Sequence, residues 1–374
     1  DTGTITFNDL DLTNTHTVSV TRASGSLLGG TLTLGNVSED ATTTAGSVPW
    51  TYTIPTSATQ YLALNQTASE VFTVIISDGN GGTVTQNVTV TATGTNDAPT
   101  INTIVDTNLS EQTTTTALTT SIPVTFTDVD LTDIGHTASI TGVVASGITT
   151  GLALSSSQLR DLVTPVSVTK TSGSSSGSIN MGFSAPATAL DYLAAGEVLT
   201  LTYTVGLDDL DGGITSQTFV VNITGTNDLP TIARSKADHM FTDDSAVANE
   251  VFAIQSGTLS KTDADRSDLH TYALIGVSGV QNSTTVIATT PEEQGIYGVG
   301  YTQKVIGAYG TMYFDASAGA YQFVPDPVAM NAYGTGVGDT FTFRVTDSSG
   351  ASADTTFIAK MNEAPTLIAD TGAV

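Results

Sequence analysis

What most narrows the fold of this chain is a motif that returns three times. Residues 94–100 read GTNDAPT, residues 225–231 read GTNDLPT and residues 361–366 read MNEAPT, with Pro99, Pro230 and Pro365 spaced 131 and 135 residues apart. A period of that length is one ordinary domain, so the chain reads as a row of similar units joined by short linkers. Each linker follows the same kind of segment: VFTVIISDGNGGTVTQNVTVTATGT (71–95), LTLTYTVGLDDLDGGITSQTFVVNITGT (199–226) and FTFRVTDSSGASADTTFIAKM (341–361). Val84, Val88, Val90 and Ala92 alternate with Thr85, Asn87, Thr89 and Thr91, and Leu199, Leu201, Tyr203 and Val205 alternate with Thr200, Thr202 and Thr204. Phe341, Phe343 and Val345 repeat the pattern. Period-two alternation is the mark of a half-buried strand. The intervening DGNGG, DLDGG and DSSG are turn sequences, rich in residues that tolerate positive φ.

Each unit therefore ends in a β-hairpin whose last strand runs into an Asn-Asp/Glu-x-Pro linker. Thr and Val dominate, both β-branched and strand-favouring, and charged residues are only 12%. The expectation is an all-β protein of tandem immunoglobulin-like β-sandwich domains. The boundaries fall at 1–97, 98–228 and 229–363, with 364–374 opening a fourth unit. The first unit is expected to be truncated, since eight residues precede Asp9 where about 30 separate later linkers from the matching position. On this reading the chain is a section of a longer array.

The 374 residues include 36 acidic and 10 basic side chains, a net charge of −26, and no cysteine. Nucleic-acid phosphates need a basic footprint that is missing here. Thiol chemistry and disulfide stapling are excluded. No apolar run is long enough to insert as a membrane helix.

The acids are not scattered. A second shared element reads FNDLDLTNTHTVSV (7–20), FTDVDLTDIGHTASI (126–140) and KTDADRSDLHTYALI (261–275). In an immunoglobulin-like sandwich, the loop with the Asp-x-Asp pair and the last hairpin turn share the pole that faces the preceding unit, and the turn carrying Glu70 or Glu197 lies at the opposite pole. One junction is thus expected to gather Glu70, Asn96, Asp97, Asp128 and Asp130, with Asp209 and Asp211. The next gathers Glu197, Asn227, Asp228, Asp263 and Asp265, with Asp347. Two carboxylates 4 Å apart repel by roughly 4 kcal/mol at an effective dielectric of 20. Ca²⁺, which takes six to eight oxygens, is the expected counterion. The third linker departs from the pattern: Glu363 replaces Asp, and Asp339 stands where Glu70 and Glu197 stood.

The Asp-x-Asp pair, the LAAGE-like turn, the DGxGG hairpin and the terminal GTNDAP together resemble the VCBS repeats of bacterial RTX-type surface adhesins, which are similar in outline to cadherin domains. The resemblance covers nearly the whole chain. It implies a seven-stranded sandwich per repeat, calcium between neighbouring repeats, and export to a Gram-negative cell surface by a type I system. It also implies a role as an extender in cell adhesion or biofilm, with cell-surface or matrix components as partners.

Other signals lead elsewhere. His16, His136 and His270 recur at one repeat position, but they belong to different domains, and packing or hydrogen bonding at the strand entrance is the expected role. GSSSG at 173–177 fits the nucleophile-elbow spelling around Ser175, a motif that needs a strand before it, a helix after it and a His partner, yet it sits in a Ser/Gly tract that reads as a flexible loop, and no enzyme is expected. Tyr297, Tyr301, Tyr309, Tyr313, Tyr321 and Tyr333 crowd the third repeat, so a glycan-binding module there is the rival function. Trp50 is expected in a core.

Overall fold

A computed structural model describes residues 1–25, 28–112, 116–243, 250–279, 282–332 and 338–363. The expected fourth repeat at 364–374, with Pro365, lies outside the described residues, as does Tyr333. The protein is all-β, built as three successive two-sheet sandwiches.

The terminal hairpins form as their alternation dictates. Thr67–Ser77 pairs antiparallel with Thr83–Thr93, Val198–Asp208 with Ile214–Thr224, and Gly338–Thr346 with Ser352–Glu363. Leu199, Leu201, Tyr203, Val205 and Leu207 point inward and are fully buried, while the threonines between them are half-buried. Each hairpin turn opens with an aspartate that closes it. Asp78, Asp209 and Asp347 accept the backbone N–H of Gly82, Gly213 and Ala351 at 2.9, 2.8 and 2.8 Å.

In repeat 2 the sheet containing this hairpin adds Thr137–Gly147 on one side and Thr107–Ser110 on the other. The second sheet runs Val163–Lys170, Ser176–Ala185, Leu118–Thr127 and Thr100–Ile101. The early strand Thr107–Ser110 lies parallel to the last strand Ile214–Thr224, and in repeat 3 His239–Asp243 lies parallel to Ser352–Glu363. Repeat 1 has no such parallel pair among the described residues; its hairpin sheet holds three strands, Thr17–Arg22, Thr67–Ser77 and Thr83–Thr93. Among the described residues, the count of seven strands implied by the resemblance fits repeat 1 alone. Repeat 2 has four strands in each sheet, and the second sheet of repeat 3 widens to six by adding Gln303–Ile306 and Ile287–Ala288.

Each repeat has its own core, so none depends on a neighbour for burial. Repeat 1 centres on Val48, Phe72 and Val74, repeat 2 on Phe126, Phe183, Tyr203 and Phe219, and repeat 3 on Phe314, Phe323, Phe341 and Phe357. Tyr309, Tyr313 and Tyr321 are buried, and Tyr297 rests on Tyr313 with ring centroids 4.4 Å apart. The tyrosines that suggested a sugar-stacking face are thus mostly spent on packing. Trp50 is half-buried against the repeat 1 core, lying over Gly3. Residues 173–177 form the turn into the strand Ser176–Ala185, which pairs back on Val163–Lys170; no strand–turn–helix surrounds Ser175.

Candidate metal centre

Six residues, 94–99 and 225–230, separate the last strand of one repeat from the first strand of the next. Their opening glycines are set by close approach. A Cβ on Gly94 would lie 2.2 Å from the carbonyl oxygen of Leu62, and one on Gly225 would lie 2.2 Å from that of Leu193. The linker therefore leaves the sandwich pressed against the turn at 62–66 or 193–197. That turn is the same in both repeats. Asn65 and Gly196 take the left-handed conformation at φ 59° and 81°, the residue type that tolerates it best in each case. Gln66 and Glu197 follow, each accepting the N–H of Gly94 or Gly225 on its backbone and that of Ala63 or Ala194 on its side chain.

Beyond the linker the next repeat presents its Asp-x-Asp loop, and the two junctions share one set of linker-to-loop hydrogen bonds. At the first, the Asn96 side-chain amide donates to Asp209 at 2.9 Å, the Asp97 N–H donates to Asp130 at 2.9 Å, and the Asp130 N–H donates to Asp128 at 2.9 Å. At the second, Asn227 donates to Asp347 at 2.9 Å, Asp228 N–H to Asp265 at 2.8 Å, and Asp265 N–H to Asp263 at 3.1 Å. Histidine Nε2 holds the first aspartate, at 2.7 Å for His136–Asp128 and 2.6 Å for His270–Asp263. Repeat 1 carries the same half of the arrangement, with Asp11 N–H on Asp9 at 2.9 Å and His16 Nε2 3.0 Å from Asp9. The recurrent histidines thus have the hydrogen-bonding role expected of them. The repeats touch directly where the backbone N–H of Leu131 and of Arg266 meets the carbonyl of Tyr61 and of Tyr192, each at 3.3 Å.

These carboxylates are crowded and dry. Ligand atoms of Asp128, Asp133 and His136 lie within 4.8 Å of one another, as do those of Asp263, Asp268 and Asp347, and those of Glu111, Asp191 and Asp228. Burial, reinforced by Glu111, Asp191 and Asp263, pushes Asp228 up to about 6. Burial, reinforced by Asp228, Asp263 and Asp268, pushes Asp265 up to about 7. Asp130 and Asp133 rise for the same reason, burial first and then neighbouring aspartates. Asp209 and Asp347 go the other way: burial would raise them, but the Asn96 or Asn227 amide and the backbone N–H groups of the turn outweigh it. Buried oxygens are left without a hydrogen-bond partner on Asn96, Asp130 and Asp133 at the first junction, and on Glu111, Asn227, Asp228, Asp265 and Asp268 at the second.

Of the residues expected to meet at the first junction, Asn96, Asp97, Asp128, Asp130 and Asp209 do so. Asp211 only lends its N–H to Asp209 and leaves its own side chain in solvent. Glu70 is not there. It sits opposite Val90, six residues back along the strand from Asn96, fully buried in repeat 1, where it accepts the N–H groups of Gly29 and Gly30 and the Tyr52 hydroxyl. Its place at the pole is taken by Gln66, which accepts a hydrogen bond from Thr132 of repeat 2 at 3.0 Å. At the second junction Asn227, Asp228, Asp263, Asp265 and Asp347 converge, while the Glu197 carboxylate caps its own turn on Ala194. Asp339 does stand at the register position of Glu70, as the sequence reading had it, and like Glu70 it is not at the pole: it is buried opposite Ala359 and accepts the Tyr309 N–H at 2.8 Å. The third linker differs in course too, since its strand continues through Asn362 to Glu363 instead of stopping three residues short of the Asn. The sequence reading missed Asp133, Asp268, Glu111 and Asp191. The first two were visible as the D/N at one repeat position, DLTN, DLTD and DRSD.

No family model and no curated protein matches the chain, so no sequence family is identified. Among solved structures it is similar to protocadherin gamma B2 extracellular cadherin domains 1–5, with 12% identity and a TM-score of 0.41 over 90% of this chain and 53% of that one. It is also similar to protocadherin gamma C5 EC1–3, with 14% identity and a TM-score of 0.35 over 90% of this chain and 92% of that one. Zebrafish RET cadherin-like domains 1 to 4 match at 12% identity and a TM-score of 0.26, over 93% of this chain and 66% of that one.

Proposed function

We propose that this chain is a calcium-stiffened extender of an adhesion-type extracellular protein, in which each repeat is a rigid spacer and each junction a metal-locked joint. The observation that carries the reading is the set of buried, unpartnered oxygens at the same repeat positions of both junctions, on Asn96 and Asn227, Asp130 and Asp265, Asp133 and Asp268. Buried polar atoms are ordinarily satisfied, and carboxylates drawn together out of water call for a cation. Carboxylate and amide oxygens with backbone carbonyls nearby form the donor set a hard divalent ion prefers, and Ca²⁺ tolerates the irregular geometry better than Mg²⁺. Asn96, Asp97, Asp128, Asp130, Asp133 and Asp209 would hold it at the first junction. At the second, Glu111, Asp191, Asn227, Asp228, Asp263, Asp265, Asp268 and Asp347 would do so. The ion supplies the positive charge; at the second junction the oxygens come from both flanking repeats, while at the first they come from the linker and repeat 2, whose loop in turn holds repeat 1 through Leu131 N–H on the Tyr61 carbonyl and Thr132 on Gln66.

The coupled GTNDAP, Asp-x-Asp and DGxGG elements support a finer placement, in a secreted bacterial surface adhesin of the RTX type acting in cell adhesion or biofilm. Calorimetric titration after chelation, paired with small-angle scattering, tests the reading. Saturable Ca²⁺ binding is expected with a Kd between about 10 μM and 1 mM. Scattering should show a rod-like profile in Ca²⁺ and a broader distance distribution in chelator. Absence of saturable heat, or identical scattering in both states, would sink it.

A further inference from the structure

The two junctions share a hydrogen-bond plan but not a charge plan, and the difference centres on Lys170. Among the described residues it is the one buried lysine or arginine. Its ammonium lies inside the first junction's acidic loop, donating to the backbone carbonyl of Asp133 at 2.6 Å and to that of Asp130, with Asp128 Oδ2 3.9 Å away. Both Lys170 and Asp128 side chains are wholly excluded from solvent. An ammonium survives such burial only where carboxylates and carbonyls replace its water.

Fold alone does not demand a lysine here. Lys170 stands opposite Gly177, which stands opposite Phe126; in repeat 1 the corresponding row is Glu39, Gly46 and Phe7. The same position thus carries the opposite charge in repeat 1, where Glu39 binds His16 Nδ1 at 2.7 Å. In repeat 3 the hairpin of Gly310–Asp315 and Ala320–Pro325 pairs with the neighbouring strand only up to Thr258, short of the row of Lys261. No ion pair between a lysine or arginine and Asp263, Asp265, Asp268, Asp228, Asp191 or Glu111 occurs among the described residues. The preceding repeat adds to the asymmetry. At the turn positions where repeat 2 has Asp191 and Glu197, repeat 1 has Gln60 and Gln66. The first junction thus combines fewer carboxylates with an ammonium of its own.

We infer that Lys170 is a tethered counter-cation that supplies part of the positive charge at the first junction, so that this joint stays ordered at lower free Ca²⁺ than the second. The inference rests on the calcium reading above. The ammonium binds carbonyl oxygens that a divalent ion would otherwise have available, and its own charge offsets Asp128. As Ca²⁺ falls, the joint between repeats 2 and 3 should loosen first, giving a chain that bends at one place before the other.

The absence of native cysteine allows clean labelling of the full chain. Spin labels at Thr89→Cys and Ser167→Cys report on the first junction, and at Thr218→Cys and Ser260→Cys on the second; all four positions are exposed. Distance distributions by pulsed electron resonance are followed as free Ca²⁺ is lowered with chelator. The first pair is expected to broaden at a free Ca²⁺ about tenfold lower than the second, the scale of one charge-assisted contact. Lys170→Met should move the first midpoint up by about the same factor while leaving the second unchanged, and Lys170→Arg should leave both in place. Equal midpoints in the parent chain would overturn the inference, as would a folded Lys170→Met chain whose first midpoint does not move. Should Lys170→Met unfold repeat 2, the parent midpoints alone decide. If neither pair responds to Ca²⁺ at all, it is the calcium reading that falls.

Discussion

Replacing Asp265 with Asn should have opposite effects with and without calcium. The Asp265 side chain accepts the Asp228 N–H at 2.8 Å through one oxygen and leaves the other buried and unpartnered, among Asp228, Asp263 and Asp268. In metal-free protein that crowding and burial push its carboxyl up to about 7. A displacement from the ordinary aspartate value of that size corresponds to an unfavourable term of about 4 kcal/mol for the charged form, as an upper bound. An asparagine keeps the acceptor for Asp228 and removes the charge, so in chelator the variant should be as stable as the parent or more so. In Ca²⁺ the same change deletes an anionic ligand, and the affinity of the second junction should fall by at least about tenfold, or ~1.4 kcal/mol. Urea unfolding in chelator, set beside calorimetric titration with Ca²⁺, reads both halves. Should Asp265→Asn destabilise the chelated protein as much as it weakens Ca²⁺ binding, the carboxylate is a structural acceptor, and the argument from crowded charge is wrong.

The pH dependence should reverse with metal in the same way. A carboxyl whose folded pKa is raised binds protons more tightly folded than unfolded, so the contribution of Asp228 and Asp265 is fully present below about pH 4 and is lost as pH rises through about 6 and 7. Between pH 5 and 7 the chelated protein should therefore lose stability with rising pH while the Ca²⁺-loaded protein gains it, because protons then compete with the ion; melting temperatures across that range would expose a common slope if the idea is mistaken. Glu70→Gln should leave Ca²⁺ binding unaltered and cost repeat 1 roughly 1.5–3 kcal/mol, since Glu70 serves Gly29, Gly30 and Tyr52 inside that repeat. A loss of bound Ca²⁺ would instead restore Glu70 to the junction.

Glu70 also marks where reading the sequence succeeds and where it stops. The sandwich class, the hairpins and the junction acids were legible because strand alternation and motif recurrence are local and repeat in phase. TASEVF and AAGEVL look alike, yet Glu70 precedes Asn96 by 26 residues whereas Glu197 precedes Asn227 by 30. Counting 30 back from Asn96 reaches Gln66, the residue the turn in fact presents. Local similarity misled because a strand's address is fixed by its register with its partner, not by the residues on either side. Asp339 shares the register position of Glu70, so the likeness between those two held and only the likeness to Glu197 failed. Glu111 and Asp191 could not be found by recurrence at all, since repeat 1 has no described counterpart of the strand Thr107–Ser110 and puts Gln60 where Asp191 falls. Lys170 was invisible because a lone lysine in a strand signals solvent until the fold buries it.

The parallel pairing of Thr107–Ser110 with Ile214–Thr224, and of His239–Asp243 with Ser352–Glu363, sets how a pulled chain resists. In each case the strand nearer the repeat's entry and the strand at its exit run side by side in the same direction. Tension along the chain drags one past the other in shear, loading the ladder's bonds together, where an antiparallel end pair would peel open one rung at a time. Repeats 2 and 3 both carry this clasp, so each is built to resist tension along the chain.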